Sequence, residues 1–198
     1  ATPGTGRPYF RNAQVLIDFN DLAEARKLIK KGLEIDQNSI SGQILLLKTL
    51  SGDEIKKNIN DFSKFKDKAS EAQQIIANKL MQTDPELGLD FLDLNNPKHF
   101  LLISQCFFEI GDFSESLVFV NKYIKANPRK ISGFLNGGWI SIEMNNFDEA
   151  SNFFDMALGI DALSPEAIYG KGLVLKKRGE EYASYQIILS QIDKKLII

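Results

Sequence analysis

The stretch 107–128, FFEIGDFSESLVFVNKYIKANP, decides the fold. Apolar residues recur three and four apart on both sides of Gly111-Asp112-Phe113, and the second run stops at Pro128. Two amphipathic helices joined by so brief a turn must form an antiparallel hairpin. The same spacing returns in LAEARKLIKKGLEI (22–35), EAQQIIANKLMQ (71–82), HFLLISQCFFEI (99–110) and DEASNFFDMALGI (148–160). Short Gly/Asn/Asp turns separate the runs: FNDL (19–22), SGD (51–53), IGDF (110–113), MNNF (144–147) and KRGE (177–180). No stretch alternates strictly over the length of a strand, so the chain reads as all-α.

Composition narrows the function classes. The 198 residues are 43% hydrophobic and 25% charged, with a net charge of −2 and both signs interspersed. Nucleic acid asks for a concentrated basic face, which this pattern excludes. No apolar run approaches the roughly 20 residues of a membrane-spanning helix. The single Cys106 excludes an internal disulfide and a cysteine-based zinc cluster. It leaves the compartment open, because a reduced cytosol and a disulfide-free periplasm both fit. Residues 1–5 read as linker or tag, and the start at Ala1 without a methionine suggests a processed or cut chain. The glycines of ATPGTG lack the Lys-Ser/Thr of a phosphate loop.

A period sets the organisation. Gly111, Asn145 and Gly179 lie 34 apart (145 − 111 = 34; 179 − 145 = 34), and other columns keep the step. They are Phe100/Phe134/Ile168, Ser104/Gly138/Gly172, Ser116/Ala150/Ser184 and Val120/Phe154/Ile188. Large apolar residues stay large and small residues stay small. The pattern resembles the tetratricopeptide repeat (TPR), a 34-residue helix–turn–helix unit. Gly137 and Lys171 depart from its expected Leu, Tyr123 and Gln191 from its second small residue, and Ala162 from its proline. In the last unit the aromatic after the turn is displaced by one, to Tyr182.

The resemblance implies a right-handed α-solenoid of stacked antiparallel helix pairs, a single domain over 6–198. Repeats fall at 6–39, 97–130, 131–164 and 165–198. Between them the phase breaks (111 − 20 = 91), so 40–84 reads as a degenerate, elongated second repeat and 85–96 as an acidic-apolar connector. The small columns let helices approach closely, and stacking buries faces that no single hairpin could cover.

In such arrays the first helix of each repeat lines a concave groove. The positions that would do so are Arg7, Phe10, Gln14 and Ile17; Lys98, Leu101, Gln105 and Phe108; Ser132, Leu135, Trp139 and Ile142; and Glu166, Tyr169, Leu173 and Lys176. Leu101, Phe108, Leu135, Trp139, Ile142, Tyr169 and Leu173 then form one apolar neighbourhood, rimmed by Lys98, Gln105, Asn136 and Lys176. Contiguous exposed apolar residues mark binding sites, and Trp and Tyr are favoured anchors. The expectation is a groove for an apolar peptide or amphipathic helix. The alternatives are cover by the connector or by a further C-terminal helix, and self-association. The carboxylate clamp by which some TPR domains hold chaperone C-termini needs Lys and Asn where this chain has Phe10 and Gln14, or Leu101 and Gln105, so it is not expected.

Other constellations carry less. His99 and Cys106 sit seven apart on one helix, about 10 Å along its axis, too far for a Cys–His nucleophile. Cys106 is expected as a small buried hydrophobe and His99 as an end-of-helix polar residue. Gly138 fits a small packing column; Gly137 reads either as a bend or close approach beside Trp139, or as local tolerance. No pattern for a metal, nucleotide or cofactor is found. The last helix runs to Ile198, the final position of a repeat, without the polar cap that arrays carry. The expectation is that the native protein continues, the N-terminal segment folds back, or this end contacts another subunit, a possible homo-oligomer. The function expected is a non-catalytic adaptor or assembly factor; the alternatives are a self-assembling scaffold and a regulatory domain of a larger protein.

Overall fold

The computed structural model describes residues 5–66 and 69–192, so the start at Ala1 and the helix end at Ile198 lie outside the described residues. Among the described residues there are thirteen α-helices and no strand. The chain divides into two compact units, residues 1–92 and 93–198.

The second unit holds α8 (Phe100–Ile110), α9 (Phe113–Ala126), α10 (Ile131–Glu143), α11 (Phe147–Ile160), α12 (Pro165–Arg178) and α13 (Ala183–Ile192). The first holds α1 (Arg7–Asp18), α2 (Leu22–Ile35), α3 (Ile40–Thr49), α4 (Gly52–Lys57), α5 (Ile59–Phe62), a 3-10 turn at Ser63–Phe65, α6 (Ser70–Leu80) and α7 (Pro85–Leu89).

The recurring turn has a conformational cause. Gly111, Asn145 and Gly179 all adopt left-handed backbone, with φ of 88°, 57° and 73°, and so does Asn20 at 62°. Glycine bears this without a Cβ penalty, and asparagine tolerates it best among the rest. Each closes its helix with the same pair of bonds. Asp112 N–H donates to the Phe107 carbonyl (2.9 Å) and Gly111 N–H to that of Phe108 (3.0 Å). Asn146/Asn145, Glu180/Gly179 and Asp21/Asn20 repeat the arrangement. The next residue then caps the following helix: Asp21, Asp112 and Asn146 accept from the backbone N–H of Glu24, Glu115 and Glu149.

The small columns close the hairpins. Ser104 and Ser116, both buried, each donate a hydroxyl to the other's carbonyl, at 2.8 and 2.7 Å. In the next pair Gly138 lies against the Phe154 ring, where a Cβ would come within 2.6 Å. Gly137, for which the sequence offered a bend, a ligand's approach or tolerance, makes room for Phe153, 2.8 Å from where its Cβ would stand. Phe153 and Phe154 join Phe134, Leu135, Ile142, Ala157, Ala167 and Val174 in one cluster.

The last hairpin corrects two columns. Ser184 and Ile188 are exposed, whereas their expected counterparts Ala150 and Phe154 are buried. The turn after α12 carries one extra residue, and Glu181 caps it by accepting from Ala183 N–H at 2.7 Å. The register of α13 is therefore displaced by one, and among its described side chains Leu189 is buried.

In the first unit, Phe10 of α1 fills the space above Gly32 and Gly42, and with Ala13, Ala25, Ile29 and Leu45 makes a small core. Within 40–84, α3 packs on α6 while α4, α5 and the 3-10 turn supply Ile55, Phe62 and Phe65 to a cluster with Leu47, Ala72, Ile76 and Leu80. Phe91 of the connector inserts into that cluster. Arg26 ties α2 to this region: it meets both carboxylate oxygens of Glu54 at 2.7 and 2.8 Å and donates Nε–H to the Thr49 hydroxyl.

Candidate functional site

The expected groove falls on α8, α10 and α12, the first helices of three hairpins. α10 touches both α8 and α12, so the three form one layer in the second unit. Lys98, in the turn before α8, and Lys176 of α12 are exposed. Leu101, Gln105, Phe108, Asn136, Trp139, Tyr169 and Leu173 are half-buried. Leu135 and Ile142 depart from the expected lining: at 9% and 6% exposure they belong to the hydrophobic cluster. The reason is the place of α10, which has α8, α9, α11 and α12 as neighbours and is enclosed on most of its circumference.

Trp139 is the centre of what remains. Its ring stands edge-on to Phe154 at 5.3 Å between centroids and tilted to Tyr169 at 6.0 Å. Its indole N–H donates to the Glu166 carboxylate at 2.9 Å. α12 begins at Ser164-Pro165, where the Ser164 hydroxyl accepts from Ala167 N–H, and this start brings Glu166 and Tyr169 beside Trp139. Among the described residues no cation lies within ion-pair distance of Glu166. The sequence placed Glu166 on the lining helix but gave no reason to single it out; its signal was its position at the start of the repeat after the tryptophan. Asn136 turns inward along its own helix and donates to the Ser132 carbonyl.

A second apolar hollow, not foreseen, lies between the end of α11 and α13. Leu158, Leu163, Ile168, Tyr185 and Ile188 line a groove of about 560 Å³. The one-residue displacement of α13 exposes Ile188 there.

His99 and Cys106 take structural places. Cys106 is buried, and burial, followed by the Glu109 charge, pushes its thiol up to about 11. His99 is buried at the start of α8, where its Nδ1 accepts the Asp93 N–H at 3.0 Å. Among the described residues no group of His, Cys, Asp and Glu could hold a metal ion, and no helix is long and apolar enough to cross a membrane.

No protein-family model matches the chain. It is 29% identical over 87 residues to the peptidyl-prolyl cis-trans isomerase PASTICCINO1 of Arabidopsis thaliana, a match covering 44% of this chain. The chain spans 14% of the length of that relative. Solved structures resemble it over far more of its length. PilW, a widely conserved type IV pilus biogenesis factor, superposes with a TM-score of 0.75 at 15% identity, over 94% of this chain and 92% of its own. YrrB, a TPR protein with an unusual peptide-binding site, gives 0.51 at 15% identity over 98% and 89%. MamA gives 0.51 at 16% identity over 97% and 93%. Four helix ends closed by the same left-handed pair of bonds, three of them 34 residues apart, and this set of structural neighbours agree: the chain has the all-α, stacked-hairpin fold of the tetratricopeptide repeat proteins.

Proposed function

We propose that the chain is a non-catalytic protein–protein interaction module that takes an apolar peptide or amphipathic helix on the α8–α10–α12 face of its second unit. The observation that carries this reading is the half-buried Trp139–Tyr169 pair on the layer of first helices, with Leu101 and Leu173 at equivalent positions and Phe108 half-buried on the same layer. Partly exposed aromatic and aliphatic side chains on a rigid helical layer gain contact area while losing little conformational freedom on binding. YrrB, similar in fold, has a peptide-binding site, which favours the same use of this architecture.

Selection of a phage-displayed random peptide library on the purified protein tests it. Enriched peptides should carry apolar residues three and four apart, change the emission of Trp139, the sole tryptophan, and bind Tyr169→Ser on the order of tenfold more weakly. The melting temperature of that variant should stay near the parent's. No enrichment, or equal binding by the variant, overturns the reading.

The hollow beside α13 favours a second reading, self-association. Leu163 is 66% and Ile188 39% exposed on its lining, and joined exposed apolar residues favour burial against another chain. Concentration-dependent sedimentation, lost in Ile188→Glu, would support it.

A further inference from the structure

We propose that Trp139, Tyr169 and Glu166 form a recognition site for an arginine side chain presented by the bound polypeptide. The proposal rests on the groove reading for its setting and adds a charge requirement that an apolar groove does not have.

Glu166 is exposed and offers its carboxylate beside two aromatic rings. Its Oε1 is oriented by the Trp139 indole N–H at 2.9 Å, which fixes the carboxylate against the ring system before any ligand arrives. The cations of α12 for which contacts are seen are engaged elsewhere. Lys171 bonds to the Ser151 hydroxyl at 2.6 Å and to Asp155, Arg178 bonds to Asp148, and Lys176 lies over the Tyr182 ring. Glu143 adds a second exposed carboxylate, one turn beyond Trp139 on the same side of α10 (143 − 139 = 4). It ends its helix, where a negative charge opposes the helix dipole, so its placement does not stabilise α10. Glu166 stands in the first turn of α12, where the helix dipole favours a carboxylate, and its bond to Trp139 turns that charge toward the aromatic pair.

A guanidinium suits this set better than an ammonium. It stacks on aromatic faces, and its planar fork donates two parallel N–H bonds to a carboxylate. Neutral apolar peptides would use the rings alone. An arginine at the matching position would use the rings and Glu166 together.

The test uses the full ¹⁵N-labelled chain, in which the single tryptophan gives one indole N–H signal. N-acetyl-arginine methylamide should shift that signal saturably, and the citrulline counterpart, of the same shape without the charge, should need about tenfold higher concentration for an equal shift. In Glu166→Gln the two probes should act alike while melting is unchanged. Equal shifts by both probes in the parent, no shift by either, or an arginine preference that survives in Glu166→Gln overturns the proposal. The groove reading fails separately: discrimination between the probes without any enriched peptide leaves the arginine site and removes the peptide groove. Enriched peptides indifferent to an arginine-to-citrulline exchange do the reverse.

Discussion

Leu189 holds in α13 the place that Phe154 holds in α11, at a step of 35 residues (189 − 154 = 35) where the left-handed turns keep a step of 34. Both side chains are fully buried, whereas Ile188, one residue earlier, is 39% exposed. The extra residue sits in the turn capped by Glu181. Leu189→Ala should therefore cost about 2–5 kcal/mol, the range for emptying a buried leucine site. Ile188→Ala should change stability by a few tenths, as for a surface position. Chemical denaturation of the two variants decides, and a larger loss from Ile188 would restore the 34-residue register.

Glycine substitutions separate the packing columns from mere tolerance. At an exposed site within a helix, Gly→Ala gains up to about 1 kcal/mol. Gly159 of α11 has nothing within 4 Å of an added Cβ, so Gly159→Ala should stabilise by roughly that amount. A Cβ added at Gly138 would stand 2.6 Å from the buried Phe154 ring, and Phe154 is also held against Gly170 on the next hairpin. Overpacking there costs about 1–3 kcal/mol, which outweighs the helical gain. Gly138→Ala should melt below the parent, and the double variant Gly138→Ala/Phe154→Leu should recover part of the loss.

Features fixed by neighbours in sequence were legible without coordinates. Gly111, Asn145 and Gly179 marked the turns by residue type and by their step of 34; the left-handed backbone they share, followed by caps at Asp112 and Asn146, is the reason so few residue types fit there. Burial on the lining helices was not legible in the same way. Leu135 and Ile142 occupy the same repeat positions as Leu101 and Phe108, but α10 has a neighbour on either side in its layer. Gly137 was opaque because its partner, Phe153, comes from the other helix of the hairpin. Tyr182 did signal the slip of the last hairpin; its consequence for Ile188 depended on how the turn absorbed the extra residue.

Acid should weaken the two units in different windows. Burial holds the His99 ring below its ordinary value, against the raising influence of Asp93, while Lys98 pushes further down. The unfolded chain then binds the proton more readily, so this contribution is present above about pH 6.5 and is lost as pH falls below it. Protonated Nδ1 could no longer accept from Asp93 N–H. Glu54 is lowered to about 2, first by its hydrogen bond to Arg26 and then by that to the Ser51 backbone. Its contribution is present above the unfolded value near 4.5 and disappears as pH falls from there toward 2. Denaturation midpoints between pH 7 and 5 should fall for the parent and flatten for His99→Gln, whereas Glu54→Gln should alter the slope only below about pH 5. An unchanged slope in His99→Gln would show that the imidazole titrates alike in both states.

Cys106 offers a reporter of opening in the second unit. In an unfolded chain a thiol titrates near 8.5, so at pH 8 a sizeable fraction is thiolate and alkylates readily. In the folded protein the side chain is buried and its thiol is pushed up to about 11. Both access and ionisation are therefore suppressed, and iodoacetamide at pH 8 should leave the intact mass unchanged over the time in which a denatured sample is fully modified. Modification should accelerate in step with denaturant as the hairpins separate. Phe134→Ala, which empties a side chain of the neighbouring cluster, should speed it at zero denaturant, since weaker packing raises the open population. Rapid modification of the folded parent would instead mean that α8 exposes its inner face without unfolding, and the hairpin packing described for Ser104 and Ser116 would have to be revised.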